Sequence, residues 1–331
     1  MTVARTVLLA LVALAALAAI LEPLLEWSDA HALPMRGRLV DAGGMKLRVL
    51  ESGAGQPGPT VVLECGIGGA TAASWGWIQR GVERFAPVVS YDRAGLGWSE
   101  PGTMPRNGRK LVSELHTLLH NAGHAPPYVF VGHSYGGLLA RLFVDAYPDE
   151  VAGVVLLDSS HPRQFGTARR TPRPLRIARA LLPAAPWAAR LGIMRLGVHV
   201  VPMDVRLLPP LERAEQMAFL GRTSHWVGTV REMQAWVPLT NDEAAQTHGF
   251  GARPLAVLTA ESSARWNSWS GLQREIADLS SNSAHEVVRG ATHGGMLSDS
   301  ACADRAIAAI RAVRDAATTG GRVVLPPLPA R

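Results

Sequence analysis

From Pro34 onward, short apolar runs alternate with stretches whose apolar positions recur at helical spacing. Arg38–Asp41 and Lys46–Glu51 read as a hairpin pair joined across Gly43-Gly44. Thr60–Glu64 is a short apolar run that ends in the Gly-rich Cys65-Gly-Ile-Gly-Gly69, and Pro87–Tyr91 is another that closes on Asp92-Arg93. Leu111, Leu115, Leu118 and Leu119 predict a helix over Lys110–Asn121. Tyr128–Val131 is a buried-type strand, followed by a helix over Leu138–Tyr147 that Pro148 stops. Gly153–Leu157, Pro254–Leu258 and Glu286–Arg289 are further strands, with helices near Gly271–Leu279 and Cys302–Val313. Strands that are apolar throughout, alternating with helices, imply an α/β fold with a mostly parallel, doubly wound sheet covered on both faces.

The strand rhythm stops between His161 and Gly251. That stretch is rich in Ala, Leu, Pro, Arg and Met, with helical spacing around Leu211–Leu220 and Val227–Trp236. It predicts a helical cap, residues 161–251, inserted over the C-terminal edge of the sheet where such folds bind ligands. The core then comprises residues 34–160 and 252–317. A tail, 318–331, is expected to be flexible because it combines Thr-Thr-Gly-Gly with Pro-Pro-Leu-Pro.

Residues 1–33 differ in kind. After Arg5, Val7–Leu21 is an uncharged apolar run, interrupted at Glu22-Pro23 and continued weakly to Trp27. A basic residue before a short apolar run marks an export signal. Fifteen residues fall short of the roughly 20 needed to cross a bilayer, unless Leu24–Trp27 are recruited at the interface. Ala30-His31-Ala32 offers a cleavage site. An anchored chain with its main domain outside the cytoplasm is the expectation, with secretion after cleavage as the alternative.

Composition adds little to this picture. Of 331 residues, 47% are hydrophobic and 18% charged, which supplies a large core and argues against disorder. The net charge of +6 first suggests an acidic partner. However, Arg163, Arg169, Arg170, Arg173, Arg176 and Arg179 are spread through a Pro-rich stretch without interleaved aromatics. That pattern points to a solvated surface or to lipid headgroups, and away from nucleic acid. Two cysteines, Cys65 and Cys302, cannot build a disulfide framework, and there is no metal spacing, cofactor fingerprint or phosphate loop.

Chemistry concentrates at Tyr128-Val-Phe-Val-Gly-His-Ser-Tyr-Gly-Gly137. Gly132-x-Ser134-x-Gly136 sits where a strand ends and a helix opens, the setting of a nucleophile elbow. A turn that sharp strains the serine backbone, and glycine two residues to either side is the steric solution. Serine is a poor nucleophile until a base accepts its proton. His293 follows the last strand directly. His133 is adjacent to Ser134, but neighbouring side chains on such a turn diverge, and the other histidines lie in no motif.

These segments resemble the α/β-hydrolase family from about Gly37 to about Arg314. The likeness rests on Cys65–Gly69, Tyr91-Asp-Arg-Ala-Gly-Leu-Gly-Trp-Ser99, the Ser134 elbow and Gly290-Ala-Thr-His293-Gly. It implies Ser134 as nucleophile, His293 as base, and the backbone N–H groups of Ile67 and Tyr135 as the oxyanion hole. The usual histidine before the first glycine of that loop is Cys65 here, so a local hydrogen bond is expected to be missing. Asp92 and Arg93 resemble a structural pair beneath the loop.

The acid departs from the common pattern. The loop after Pro254–Leu258 reads Ala260-Glu-Ser-Ser-Ala264, with Ser263 where an aspartate is usual. A family variant takes its acid from the loop after the preceding strand, which here gives Asp158; Glu261 is the alternative.

The resemblance implies a serine hydrolase acting on a small-molecule ester through an acyl-enzyme, with no cofactor or metal. Trp187, Met194, Met203, Met217, Phe219, Trp226, Met233 and Trp236 could line a greasy pocket beneath the cap, which favours an apolar ester. An aminopeptidase or amidase on the same fold is the nearest rival and would need an acidic pocket group to capture an amine. A non-catalytic receptor on this fold would show a broken triad.

Overall fold

The computed structural model describes residues 2–68, 70–165, 177, 180–200, 204–266 and 268–327. Eight strands form one sheet: β1 (Arg38–Asp41), β2 (Lys46–Ser52), β3 (Thr60–Glu64), β4 (Val88–Tyr91), β5 (Tyr128–His133), β6 (Val151–Leu157), β7 (Leu255–Ala260) and β8 (Ser283–Val288). Their order is β1-β2-β4-β3-β5-β6-β7-β8. Only the pairings β1–β2 and β2–β4 are antiparallel. From β4 to β8 every pairing is parallel. This is the fold class read from the sequence, and it is the α/β-hydrolase fold.

The apolar runs of the central strands have a simple cause. Successive strand residues point to opposite faces, and both faces are covered. Val62, Phe130, Leu156 and Val257 join one core cluster, beneath helices Gly108–Ala122 and Gly136–Ala146. Val61, Val129, Val131, Val155 and Leu258 join a second, beneath Gly76–Val82 and Ser300–Thr319. Parallel strands all end at the same edge, so the loops after β3, β5, β6, β7 and β8 gather there.

The cap is helical, as its spacing predicts. Helices Pro210–Gly221 and Thr223–Ala235 match the two stretches named above, with the second starting a turn earlier than its apolar spacing suggests. Their acids face arginines of the core. Glu212 pairs with Arg36 and Arg80, Glu215 with Arg36 and Arg48, and Glu232 with Arg93. Arg48 and Arg93 are almost wholly buried. Removing one partner of such a pair strands a buried charge, so the pairs hold the cap in one register even where they add little net stability.

The N-terminal segment forms one helix. It runs unbroken over Thr2–Ala32, through the Glu22-Pro23 that interrupts its apolar run. Proline forfeits one intrahelical hydrogen bond, but the polar residues here are docking points rather than a stop. Glu22 is buried and pairs with Arg195 at 2.7 Å. Asp29 meets the same arginine at 2.5 Å, and Glu26 accepts the Thr223 N–H. Val3–Ala32 is long and apolar enough to cross a membrane, and only 6% of its most apolar 18 residues are buried. The sequence Ala30-His31-Ala32 forms the end of this helix.

Helix Ser300–Thr319 overruns residue 318 and ends on Gly320 in the left-handed region. Beyond it, Val323 is buried and donates its N–H to Asn282. Residues 328–331 lie outside the described residues, as do Arg169, Arg170, Arg173, Arg176, Arg179 and Met203.

Candidate active site

Strand β5 ends at His133, the next helix begins at Gly136, and Ser134 between them has φ 54°. A side chain rarely adopts that backbone, so the surrounding packing must enforce it. The flanking glycines show how. A Cβ on Gly132 would stand 2.5 Å from the Gly136 carbonyl oxygen, and one on Gly136 would stand 2.3 Å from that of Glu64. The Ser134 N–H donates to Leu157 and its carbonyl accepts from Ser160, which clamps the turn to the end of β6.

Ser134, His293 and Asp158 stand in one hydrogen-bonded line. The Ser134 hydroxyl lies 3.0 Å from His293 Nε2, and His293 Nδ1 lies 2.6 Å from Asp158 Oδ2. An ionised Asp158 can only accept, so Nδ1 carries the proton and Nε2 is free to receive one from serine. Asp158 is wholly buried and held on every side. Its other donors are the Ala260 N–H at 3.2 Å, Ser263 Oγ at 2.5 Å and Trp269 Nε1 at 3.0 Å. Burial alone would raise its pKa, but the bonds from His293, Ser263 and Trp269 outweigh it and hold the carboxyl below its ordinary value.

Glu261 stands apart from this line. It is largely solvated and accepts from the Gly290 N–H and from Arg265. Its pKa is lowered chiefly by that backbone bond, which makes it a brace for the loop carrying His293.

His133, next to the serine, has a different part. Its Nε2–H donates to the His293 carbonyl oxygen at 2.9 Å, tying the base's loop to the elbow. Burial first, then the neighbouring His293, lowers its pKa to about 3, so it stays neutral. The Ser134 hydroxyl is bonded to His293 Nε2, not to His133.

The loop after β3 is fixed from below. Arg93 donates to the carbonyl oxygens of Cys65 and Gly66, at 2.8 and 2.7 Å, and pairs with Glu64 and Glu232. Asp92 and Arg93 are therefore not partners of each other. Asp92 pairs instead with Arg48 and accepts the N–H groups of Ala72 and Trp98. Nor is the local hydrogen bonding at Cys65 lost. Its thiol donates to the Thr71 carbonyl and its sulfur accepts from Trp75 Nε1. Burial raises the pKa of that thiol, which suits a structural role. Among the described residues, the N–H groups of Ile67 and Tyr135 have no recorded acceptor.

A cleft of about 390 Å³ opens over Ser134 and His293. Its floor is Gly66, Ile67 and His133. The cap closes it with Val205, Leu208, Gln216 and Leu220, and the far wall is Leu297 and Ser298. None of the large cap residues proposed from the sequence and described in the structure is among its lining residues. Phe219 and Trp236 are buried in packing, whereas Trp187 is 74% exposed. Among the described lining residues the one acid is Asp204, whose Oδ2 accepts from Thr292 Oγ1 at 2.7 Å. No motif signals Asp204, Trp269 or Glu232, because each acts on a partner far away in sequence.

Comparison with known proteins agrees with this architecture. Residues 59–186 match the family model for the alpha/beta hydrolase fold. Lipase LipV of Mycobacterium tuberculosis is 44% identical over 75 residues, 22% of this chain and 27% of that one. A thermophilic esterase from Thermogutta terrifontis superposes with a TM-score of 0.59 at 20% identity, over 84% of this chain and 97% of that one. A bromoperoxidase from Bacillus anthracis gives 0.60 at 16% identity, over 78% and 93%. The chain spans less than half the length of several curated relatives it matches, 20% of one and 42% of another.

Proposed function

This chain has the α/β-hydrolase fold, and from that premise we propose that it hydrolyses carboxylic esters through an acyl-enzyme on Ser134. The supporting observation is the unbroken hydrogen-bonded line from Ser134 through His293 to buried Asp158, with Ser134 and His293 lining a largely apolar cleft.

In this reading Ser134 Oγ attacks the ester carbonyl carbon while His293 Nε2 takes its proton. The carbonyl oxygen becomes an oxyanion and is met by the Ile67 and Tyr135 N–H groups, fixed by Arg93 and by the start of helix Gly136–Ala146. Buried, ionised Asp158 stabilises the imidazolium. Collapse of the intermediate breaks the bond to the alcohol, which leaves with the proton from His293. Water then gives a proton to His293 and attacks the acyl-enzyme. Collapse of the second intermediate releases the acid and returns that proton to Ser134. An aspartate-nucleophile reaction, as in an epoxide hydrolase, is disfavoured because the elbow carries serine.

The cleft supports an apolar acyl or alcohol group through Ile67, Val205, Leu208, Leu220 and Leu297. Asp204 favours one rival, an amidase or aminopeptidase that holds a substrate amine against its carboxylate. Turnover of nitrophenyl esters of graded acyl length, beside the corresponding anilides and aminoacyl anilides, tests both. Ester turnover that rises with acyl length supports the first reading; cleavage confined to amine-bearing anilides supports the second.

The N-terminal helix is, in this account, a retained anchor. Arg5 before the apolar run favours a cytoplasmic N-terminus and an extracytoplasmic main domain. Cleavage after Ala32 would remove both carboxylates that pair with Arg195, which supports retention over secretion.

A further inference from the structure

The cap exposes large apolar side chains that neither the core nor the cleft uses. Leu181, Trp187, Ile193 and Leu196 are 65%, 74%, 55% and 70% exposed. They fall within residues 180–200, on and beside the short helices Ala185–Arg190 and Ile193–Val200. Single exposed apolar residues are ordinary, but four on one short segment are the kind of surface that marks a partner.

Two observations identify that partner. The first is continuity with the N-terminal helix. That helix packs on Ala185–Arg190 and on Pro210–Gly221, and its Glu22 and Asp29 grip Arg195, one residue before Leu196. Beside those acids the helix itself exposes Leu24, Leu25 and Trp27. The second is charge. Between His161 and Met203 the sequence contains eight arginines and no acid, although the cap helices that follow are rich in glutamate. In sequence, then, the apolar segment is accompanied by arginines and no acid, a composition that suits an anionic lipid surface, although Arg163 and Arg195 are paired with Glu275 and with Glu22 and Asp29.

We propose that the cap face formed by Leu181, Trp187, Ile193 and Leu196 lies on the lipid bilayer that the N-terminal helix enters. The proposal rests on the reading of that helix as a retained anchor. It gives the cap a second membrane contact and brings the cap lip of the cleft, Val205, Leu208 and Leu220, close to the membrane surface. The substrate class that follows is an ester partitioned into the bilayer.

The test uses the full chain reconstituted in vesicles of phosphatidylcholine and phosphatidylglycerol, with and without bromine on the acyl chains near the headgroup. The Trp187 emission is the difference between the parent and Trp187→Phe, and that of Trp27 the difference between the parent and Trp27→Phe. The expected result is that bromolipid quenches Trp187 by about half or more while aqueous iodide leaves it unchanged. Quenching of Trp27 without Trp187 would overturn the proposal and leave the anchor in place. Quenching of neither by bromolipid would overturn both. Protection of Trp187 from bromolipid and iodide alike would show that a second copy covers the face, which also overturns it. This readout is independent of catalysis, so failure of the ester reading would leave it interpretable.

Discussion

The Ser263 hydroxyl donates to Asp158 Oδ2 at 2.5 Å, the same carboxylate oxygen that receives His293. Ser263 occupies the loop where an acid is usual, while the carboxylate bonded to His293 stands at the end of the neighbouring strand. The exchange is possible because β6 and β7 are parallel neighbours, Leu157 beside Leu258, so their ends lie about 5 Å apart. A carboxylate on either loop can reach the same imidazole.

Asp158→Asn is expected to lower kcat/KM on an ester by about 10³–10⁴-fold, because an amide can no longer fix the tautomer or balance the imidazolium. Glu261→Gln should stay within about threefold of the parent, since it braces a loop and touches no reacting group. Steady-state kinetics on the purified pair decides. The opposite ranking would move the acid to Glu261.

Gly136→Ala places a Cβ 2.3 Å from the Glu64 carbonyl oxygen and 2.8 Å from that of Cys65. Both contacts are backbone, so the elbow or the adjoining loop must shift. A loss of stability of about 2 kcal/mol is expected, together with a larger fall in kcat than in KM. Denaturant unfolding and kinetics on the same preparation measure the two effects.

Glu232→Gln breaks the charge balance around Arg93, leaving it with Glu64, whose own pKa burial raises. Breaking a buried pair costs about 3–5 kcal/mol. The denaturation midpoint should fall accordingly. An unchanged midpoint would show that Arg93 does not depend on the cap.

Burial lowers the pKa of His133 to about 3, and that of His161 to about 4 with further lowering by Arg141. Both fold neutral, whereas the unfolded chain binds their protons from about pH 6.5 downward. Stability is therefore lost as pH falls from about 6.5 toward 4, because the unfolded state holds more protons across that window. Melting temperatures across the window should decline, and His161→Gln should flatten the decline. An equally steep decline in the variant would assign the loss to other groups.

Much of this was legible in the sequence, for identifiable reasons. Val129, Phe130 and Val131 lie between two covered faces, so their unbroken apolar run announces a parallel strand without any alternation to read. The elbow was legible because only glycine fits beside the Glu64 and Gly136 carbonyls. Arg93 and Glu232 were not, because they are 139 residues apart and a glutamate on an amphipathic helix looks solvated. Glu22 likewise reads as the end of an apolar run until Arg195 is placed against it. The cleft lining is not readable from side-chain size: Phe219 and Trp236 pack, Trp187 faces outward, and Val205, Leu208 and Leu220 line the site.

The central claim, a competent nucleophile at Ser134, is tested most directly by labelling the full chain with a fluorophosphonate probe beside Ser134→Ala and His293→Ala. One covalent label is expected on the parent, mapped to the peptide carrying Ser134, with none on Ser134→Ala and a marked loss on His293→Ala. A folded parent that takes no label, or a label that survives in Ser134→Ala, would contradict it.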